Sequence, residues 1–347
     1  MKTIHLVTGA SGHLGNALCR ALILQGEKVR AMLLPGDTAP ALAGLDVERV
    51  EADLAVPDSL ETLFQNLESY EKIYLYHLAG FVTIRGGQEK ILQKVNVEGT
   101  RALVEAAKKH KVTRFLYTSS VHAIPESPKG EMQYEVNHFD PDKVHGDYAK
   151  SKAAATQIVL DAHKEGLDVV VVHPSGIIGP YDFGNGHLTQ LLLNYINGKI
   201  PCSVQGGYDF VDVRDVVQAE ISAMKNGRSG ECYIASGHYT TIHDLFCDIA
   251  ELSGKRKKRC IVPYWAAKLS AAIAEFFTRK SKKAPLFTRY SVYTLMSNSL
   301  FSHEKASREL NYKARPLRET LRETVAFLQE QKRFKRAFLL NPQAIIR

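Results

Sequence analysis

Tryptophan is almost missing from this chain and cysteine is sparse: Trp265 stands alone, and five cysteines are spread over 347 residues. Cys19, Cys202, Cys232, Cys247 and Cys260 are odd in number and show none of the paired spacings that zinc or redox sites use. That pattern points to no metal site and favours a reducing cytoplasm. No stretch approaches the roughly 20 consecutive apolar residues that a spanning helix needs. The first apolar residues run into a Gly-rich turn too soon for the core of a signal peptide. Internal repeats and low-complexity tracts are also missing, and 45% hydrophobic content excludes a disordered chain. The expectation is a soluble, cytoplasmic protein, long enough for two lobes or one large α/β domain.

Acidic residues run short in one region only. From Glu251 onward there are 22 Lys and Arg against 7 Asp and Glu, a balance of +15, while the rest carries 23 against 30, or −7. The basic residues cluster at 255–259, 279–283 and 332–336. They admit two readings: solvated loops with a frayed tail, or a peripheral contact with anionic lipid or an acidic partner. No recognised nucleic-acid module accompanies them, so nucleic acid is not an expected partner.

Short apolar runs such as "KIYLYHLAG", "VTRFLYTSS" and "LDVVVVHPSG" alternate with helix-like segments such as "NVEGTRALVEAAKKH" and "SKAAATQIVLDAHKEG". Continuously apolar strands between helices imply a parallel sheet covered on both faces, the doubly wound α/β plan. The pattern predicts a dinucleotide-binding Rossmann domain over 1–180, with 208–236 returning to it. A smaller, mostly helical substrate lobe is expected at 181–207 and 237–330, and a basic tail at 331–347.

The turn "TGASGHLG" sets Gly9, Gly12 and Gly15 three apart between the first strand and the first helix. Glycines there allow a tight turn and close approach of a pyrophosphate, whose charge the helix N-terminus favours. In "EADLA", Asp53 and Leu54 are placed to receive an adenine amino group and ring face, or Asp53 caps the helix that follows. Tyr148 and Lys152 in "GDYAKSKAAA" lie four apart, one above the other on a helix. The same spacing recurs at Tyr195 with Lys199 and Tyr264 with Lys268, so spacing alone does not distinguish them.

The whole set of motifs resembles the extended short-chain dehydrogenases/reductases. In chain order these are "TGASGHLG", "ADL", "HLAG", "NVEGT", "YTSS", "YAKSK", "HPSGIIGP" and "FVDVRDV". Only Tyr148 has a strand-ending serine pair 28 residues upstream and "NVEGT" before that. The resemblance implies that Tyr148 is the acid/base and that Lys152 lowers its pKa and holds the nicotinamide ribose. It implies that Ser120 orients the reacting oxygen, with Ser119 and Thr118 as register alternatives. Asn96 would anchor the lysine through a water, or serve as a helix N-cap. The cofactor contacts implied are Gly9, Ser11, Gly12, His13, Leu14, Gly15, Arg30, Asp53, Leu54, Leu78, Ala79, Gly80, Thr118, Tyr148, Lys152, Pro174, Gly176 and Ile177. Substrate contacts are expected from Phe81, Ser120, Val121, His122, Ser175 and Tyr208. A homodimer through a four-helix contact including the Tyr148 helix also follows by analogy.

An acid at the end of the second strand suits NAD and an arginine there suits NADP. Here Leu33 and Leu34 occupy those positions, with Lys28 and Arg30 nearby, so the cofactor is NAD or NADP, the latter slightly favoured. Sugar-nucleotide enzymes of this group carry an Asn at position 176 and often an Arg at 208, both for the diphosphate. Gly176 and Tyr208 stand there instead, which resembles the 3β-hydroxysteroid dehydrogenase and dihydroflavonol reductase branch. The implied activity is hydride exchange between a secondary alcohol or ketone of a bulky apolar molecule and the nicotinamide. A nucleotide-sugar epimerase or dehydratase, and a non-catalytic NAD(P) sensor, are the alternatives. The segment "VPYWAAKLSAAIAEFFTRKSKK" is either a core-packing helix with a basic edge or an element covering a pocket or lying on a membrane.

Overall fold

A computed structural model describes residues 2–184, 186–257, 260–278 and 287–340. The basic run at 279–283, Lys258 and Arg259, and the tail from 341 lie outside the described residues, as do the side chains from 332 onward.

Seven parallel strands form the main sheet: β1 (Thr3–Thr8), β2 (Lys28–Leu33), β3 (Glu48–Glu51), β4 (Lys72–His77), β5 (Arg114–Thr118), β6 (Val169–Pro174) and β10 (Glu231–Ala235). Their order is β10-β6-β5-β4-β1-β2-β3. Successive side chains on a strand point to opposite faces. Val169 and Val171 therefore join one core with Ile4, Leu6, Leu75 and Phe115, while Val170 and Val172 join the other with Val7, Ala31 and Leu116. Both faces are covered, which is why β6 is apolar at every position.

Helices α1 (His13–Leu24), α6 (Val213–Asn226) and α10 (Glu304–Leu310) cover one face. The short α2 (Glu89–Leu92), α3 (Gly99–Lys109) and α4 (Asp147–Lys164) lie on the other. In α3 the buried Leu103, Val104 and Ala107 repeat at helical spacing, and Lys108 and Lys109 close it where cations favour the dipole. The chain runs from β1 outward to β3, then crosses back to β4 beside β1. The strand order reverses there, so a crevice opens at the carboxyl ends of β1 and β4.

Beside the main sheet stand a three-stranded sheet of β7 (Gly176–Ile178), β9 (Gly207–Asp212) and β11 (His238–Thr241), and a pair, β8 (Ser203–Val204) with β12 (Ile261–Val262). Around them stand α5 (His187–Ile196), α7 (Ile242–Leu252), α8 (Tyr264–Thr278), α9 (Arg289–Thr294) and α11 (Leu317–Leu340). Within 208–236, β9 pairs with β7 and β11, and the chain rejoins the main sheet only through α6 and β10.

One expectation fails here. Cys202 and Cys260 form a disulfide at the ends of the β8–β12 pair, leaving Cys19, Cys232 and Cys247 free. A separation of 58 residues hid the pair from any spacing argument, and the cysteines no longer favour a reducing compartment. Among the described residues no helix is long and apolar enough to cross a membrane.

Candidate active site

The β1–α1 turn is built so that only glycine fits at two positions. Gly9 has φ +68°, and a Cβ there would stand 2.8 Å from the Ala79 nitrogen; at Gly15 it would stand 2.1 Å from the Gly9 carbonyl. Gly12 is the N-cap of α1 and has no side chain to fill the space in front of the helix. Ser11 lies in the same turn, and His13 and Leu14 open the helix and line the crevice. His13 Nε2 meets the Pro180 carbonyl at 2.8 Å, tying the turn to the loop after β7. This cradle fits a dinucleotide pyrophosphate. Leu78 and Gly80 after β4, Pro174, Gly176 and Ile177 beyond β6 line the same crevice, and Ala79 donates its N–H to Thr8 Oγ1.

Two other expected cofactor contacts, Arg30 and Leu54, are corrected, as is the capping role of Asp53. Arg30 is buried in β2 and donates to the carbonyls of Leu63 and Gln65 while pairing with Glu48 at 2.9 Å, so its guanidinium is committed within the sheet. Leu54 packs into the core against Gly99 and offers no surface to an adenine ring. Asp53 Oδ1 accepts from Ala55 N in its own turn and caps no helix; Val56 is the N-cap of the turn that follows.

Tyr148 and Lys152 project from the first two turns of α4 toward the end of β5. Lys152 is buried, and its Nζ donates to the Thr118 carbonyl at 2.8 Å and to the Tyr117 hydroxyl at 3.2 Å. Burial lowers its pKa to about 7, with Glu220 opposing. Burial also raises Tyr148 to about 12, and the Ser120 hydroxyl pulls the other way. Both groups are withdrawn from water, and desolvation favours neutral phenol and neutral amine alike.

Two of the three hydroxyls in this segment are committed to buried partners. Thr118 Oγ1 donates to Glu220 at 2.6 Å and Ser119 Oγ shares a hydrogen with Thr156 Oγ1 at 2.7 Å, both buried. Ser120 Oγ faces Tyr148 and accepts only the His122 N–H, at 3.2 Å, while buried His173 holds the Ser120 carbonyl at 3.0 Å. Asn96 is no N-cap. It lies within a π-helical turn, Gln93–Glu98, a distortion often found at functional sites. Its carboxamide accepts from Phe81 N at 2.7 Å and donates to Phe81 O and Ser151 Oγ, each at 3.0 Å. Asn96 Oδ1 and Lys152 Nζ flank Gly80, lying 3.3 and 3.7 Å from where its Cβ would be.

These groups open on a cavity of about 440 Å³. Ser120, His122, Ser175 and Tyr208 line it, as expected of substrate contacts. Two others do not: Val121 is turned into the core, and Phe81 is held by its backbone while its neighbours Val82, Thr83 and Ile84 form the wall. Tyr208 donates to or accepts from His122 Nε2 at 2.9 Å and stacks on its ring. Burial lowers His122 to about 4, so that ring is neutral. Three groups were missed by motif reading: Tyr117 and Glu220, which support the lysine, and Tyr290 of α9, whose hydroxyl is buried at the cavity wall without a hydrogen-bond partner among the described residues. Tyr117 was visible in "YTSS"; Glu220 and Tyr290 carry no local signal.

Known proteins support the same frame. The model of the NAD dependent epimerase/dehydratase family matches residues 5–236. A protein named sterol demethylase protein B from Methylococcus capsulatus is 35% identical over 330 residues, covering 94% of this chain and 98% of its own. A Stigmatella aurantiaca protein named 4-hydroxy-2-methyl-3-oxo-4-farnesyl-3,4-dihydroquinoline-1-oxide ketoreductase is 28% identical, covering 89% and 91%. The crystal structure of gox2253 matches with TM-score 0.81 at 29% identity, covering 95% and 99%. A nucleoside-diphosphate-sugar epimerase from Pseudomonas aeruginosa matches with TM-score 0.76 at 20% identity, covering the same shares, a likeness of fold alone. The chain thus belongs to the NAD dependent epimerase/dehydratase family, as an oxidoreductase of the extended short-chain dehydrogenase/reductase type.

Proposed function

We propose that this oxidoreductase interconverts a secondary alcohol and a ketone on a bulky, apolar, sterol- or terpenoid-like molecule. One observation carries the substrate class. Leu78, Val82, Ile84, Leu188, Leu191 and Phe287 dominate the cavity wall, and among its described lining residues Lys152 is the only Lys or Arg. A sugar nucleotide brings two phosphate charges into such a cavity; these favour several cations, and beside Lys152 the described wall offers the N-terminus of α5 at Gly186 and His187. An apolar ring system needs neither. The names of the sterol and farnesyl relatives point the same way.

A bound nicotinamide dinucleotide supplies the hydride chemistry. The chain supplies position and the proton: Ser120 holds the substrate oxygen, and Tyr148 passes a proton to or from it. Lys152 and Asn96 brace the floor around Gly80. For the cofactor we favour NADP, solely because β2 ends in Leu33 and Leu34, with no carboxylate to repel a 2′-phosphate. By family analogy alone we extend the reading to a homodimer through a four-helix contact that includes α4, which sedimentation at micromolar concentration tests.

The assay is spectroscopic, with NAD and NADP run separately against 3β-hydroxysteroids, dihydroflavonols, simple ketones and UDP-sugars. Stoichiometric cofactor turnover with an apolar member supports the proposal. Conversion of a UDP-sugar without net cofactor change overturns it in favour of an epimerase.

A further inference from the structure

We propose that α8 is a membrane-docking element, lying in the headgroup region of an anionic bilayer beside the mouth of the cavity. The inference goes beyond the substrate assignment and does not depend on it. A 15-residue helix normally buries its large apolar side chains, yet α8 buries its small ones. Ala267 and Ala271 pack with Val204 and Val292. Trp265, Leu269, Ile273, Phe276 and Phe277 are 71%, 58%, 51%, 74% and 78% exposed. At about 100° per residue these five cover roughly a third of the helix circumference. The polar edge holds Lys268, whose ammonium sits over the Tyr264 ring at 6.0 Å. The helix has one carboxylate, Glu275, and it is turned back onto α9, accepting from Arg289 N at 2.7 Å and Nε at 2.8 Å. No acid interrupts the exposed stripe.

Charge selects the occupant. Exposed Lys255 and Arg256 precede α8, and Arg279, Lys280, Lys282 and Lys283 follow it in the sequence. An apolar stripe containing Trp and Phe, flanked by basic residues, is the composition of an interfacial helix on anionic lipid. The exposed Lys255 and Arg256 favour anionic headgroups over a second copy that bears the same charges. Location gives the contact a use: α8 packs on α9, whose Tyr290, Ser291 and Thr294 line the cavity. A molecule dissolved in the bilayer would meet that wall without crossing water.

Trp265 is the chain's single tryptophan, so intrinsic emission reports α8 alone. The purified full chain is titrated with vesicles of phosphatidylcholine, with and without phosphatidylglycerol. The expected result is a blue shift on the anionic vesicles, quenching by lipids brominated in their acyl chains, and reversal by salt. Phe276→Ser combined with Phe277→Ser should weaken vesicle binding at least about tenfold and leave turnover of a water-soluble ketone unchanged. No shift on anionic vesicles overturns the proposal. A shift that grows with protein concentration in the absence of lipid also overturns it, by assigning the face to a second copy. Emission and vesicle binding are read without any substrate, so failure there leaves the substrate class standing.

Discussion

The ring of Tyr208 lies against Gly176 so closely that a Cβ at 176 would stand 3.0 Å from both Cδ1 and Cε1. These are the two positions at which the sequence departs from sugar-nucleotide enzymes, and in the fold they are neighbours, on β9 and β7. The departure is therefore one coupled change. Tyr208 fills the space over Gly176 and reaches His122, leaving an aromatic wall where a diphosphate would need charge.

That coupling predicts a double-mutant result. Gly176→Asn alone overpacks the site and should cost about 1–3 kcal/mol, a fall of a few degrees in Tm. Adding Tyr208→Ala makes room, so the pair should be more stable than the sum of the single variants. Additive melting temperatures would remove the claim of one coupled feature.

Tyr148→Phe deletes one hydroxyl and keeps the ring. Turnover should drop roughly 100-fold to 10,000-fold, while calorimetric affinity for the dinucleotide stays near the parent value. Full turnover in this variant sinks the acid/base assignment.

The two directions should differ in pH profile. With Tyr148 held up at about 12, the phenol keeps its proton at neutral pH and is ready to donate. Ketone reduction should then be flat, in this group's contribution, from roughly pH 6 to pH 9. Alcohol oxidation needs the phenolate, whose population rises about tenfold per pH unit below the pKa, so its rate should climb over the same range. Initial rates in both directions decide; an oxidation rate that falls with pH contradicts the burial argument.

Glu220 gives a stability test separate from catalysis. Burial raises its carboxyl from the usual 4.5 to about 8, and Oε2 has no hydrogen-bond partner among the described residues. Between those values the folded protein keeps a proton that the unfolded chain releases. Its contribution is thus full below about pH 4.5 and is lost as pH rises through 8. Lys152, lowered from 10.5 to about 7, acts in the opposite sense between those values. The readout is therefore the difference between variant and parent. Glu220→Gln mimics the neutral acid and still accepts from Thr118; it should match the parent at about pH 5 and melt a few degrees higher at about pH 8.5. Equal melting curves at both values would show that Glu220 ionises normally.

Much of the site was legible because it rests on local chemistry. Gly9, Gly12 and Gly15 mark a turn with no space for side chains, and Tyr148 with Lys152 occupies successive turns of one helix. The errors share one cause: each residue's partner is distant in sequence. Arg30 is claimed by carbonyls 33 and 35 residues away, Leu54 by Gly99, and Cys202 by Cys260.

The sequence by itself determined the alternation of strands and helices, the phosphate turn and the order of the catalytic motifs, since these depend on periodicity and on neighbours within a few residues. Only the tertiary structure decided which hydroxyl of Thr118, Ser119 and Ser120 faces Tyr148 and that Gly176 and Tyr208 pack together. It alone also showed that Lys152 is desolvated and that α8 turns Trp265 and Phe276 outward. Hydrogen-bond satisfaction, burial and close packing arise between segments far apart in the chain, and no local pattern encodes them.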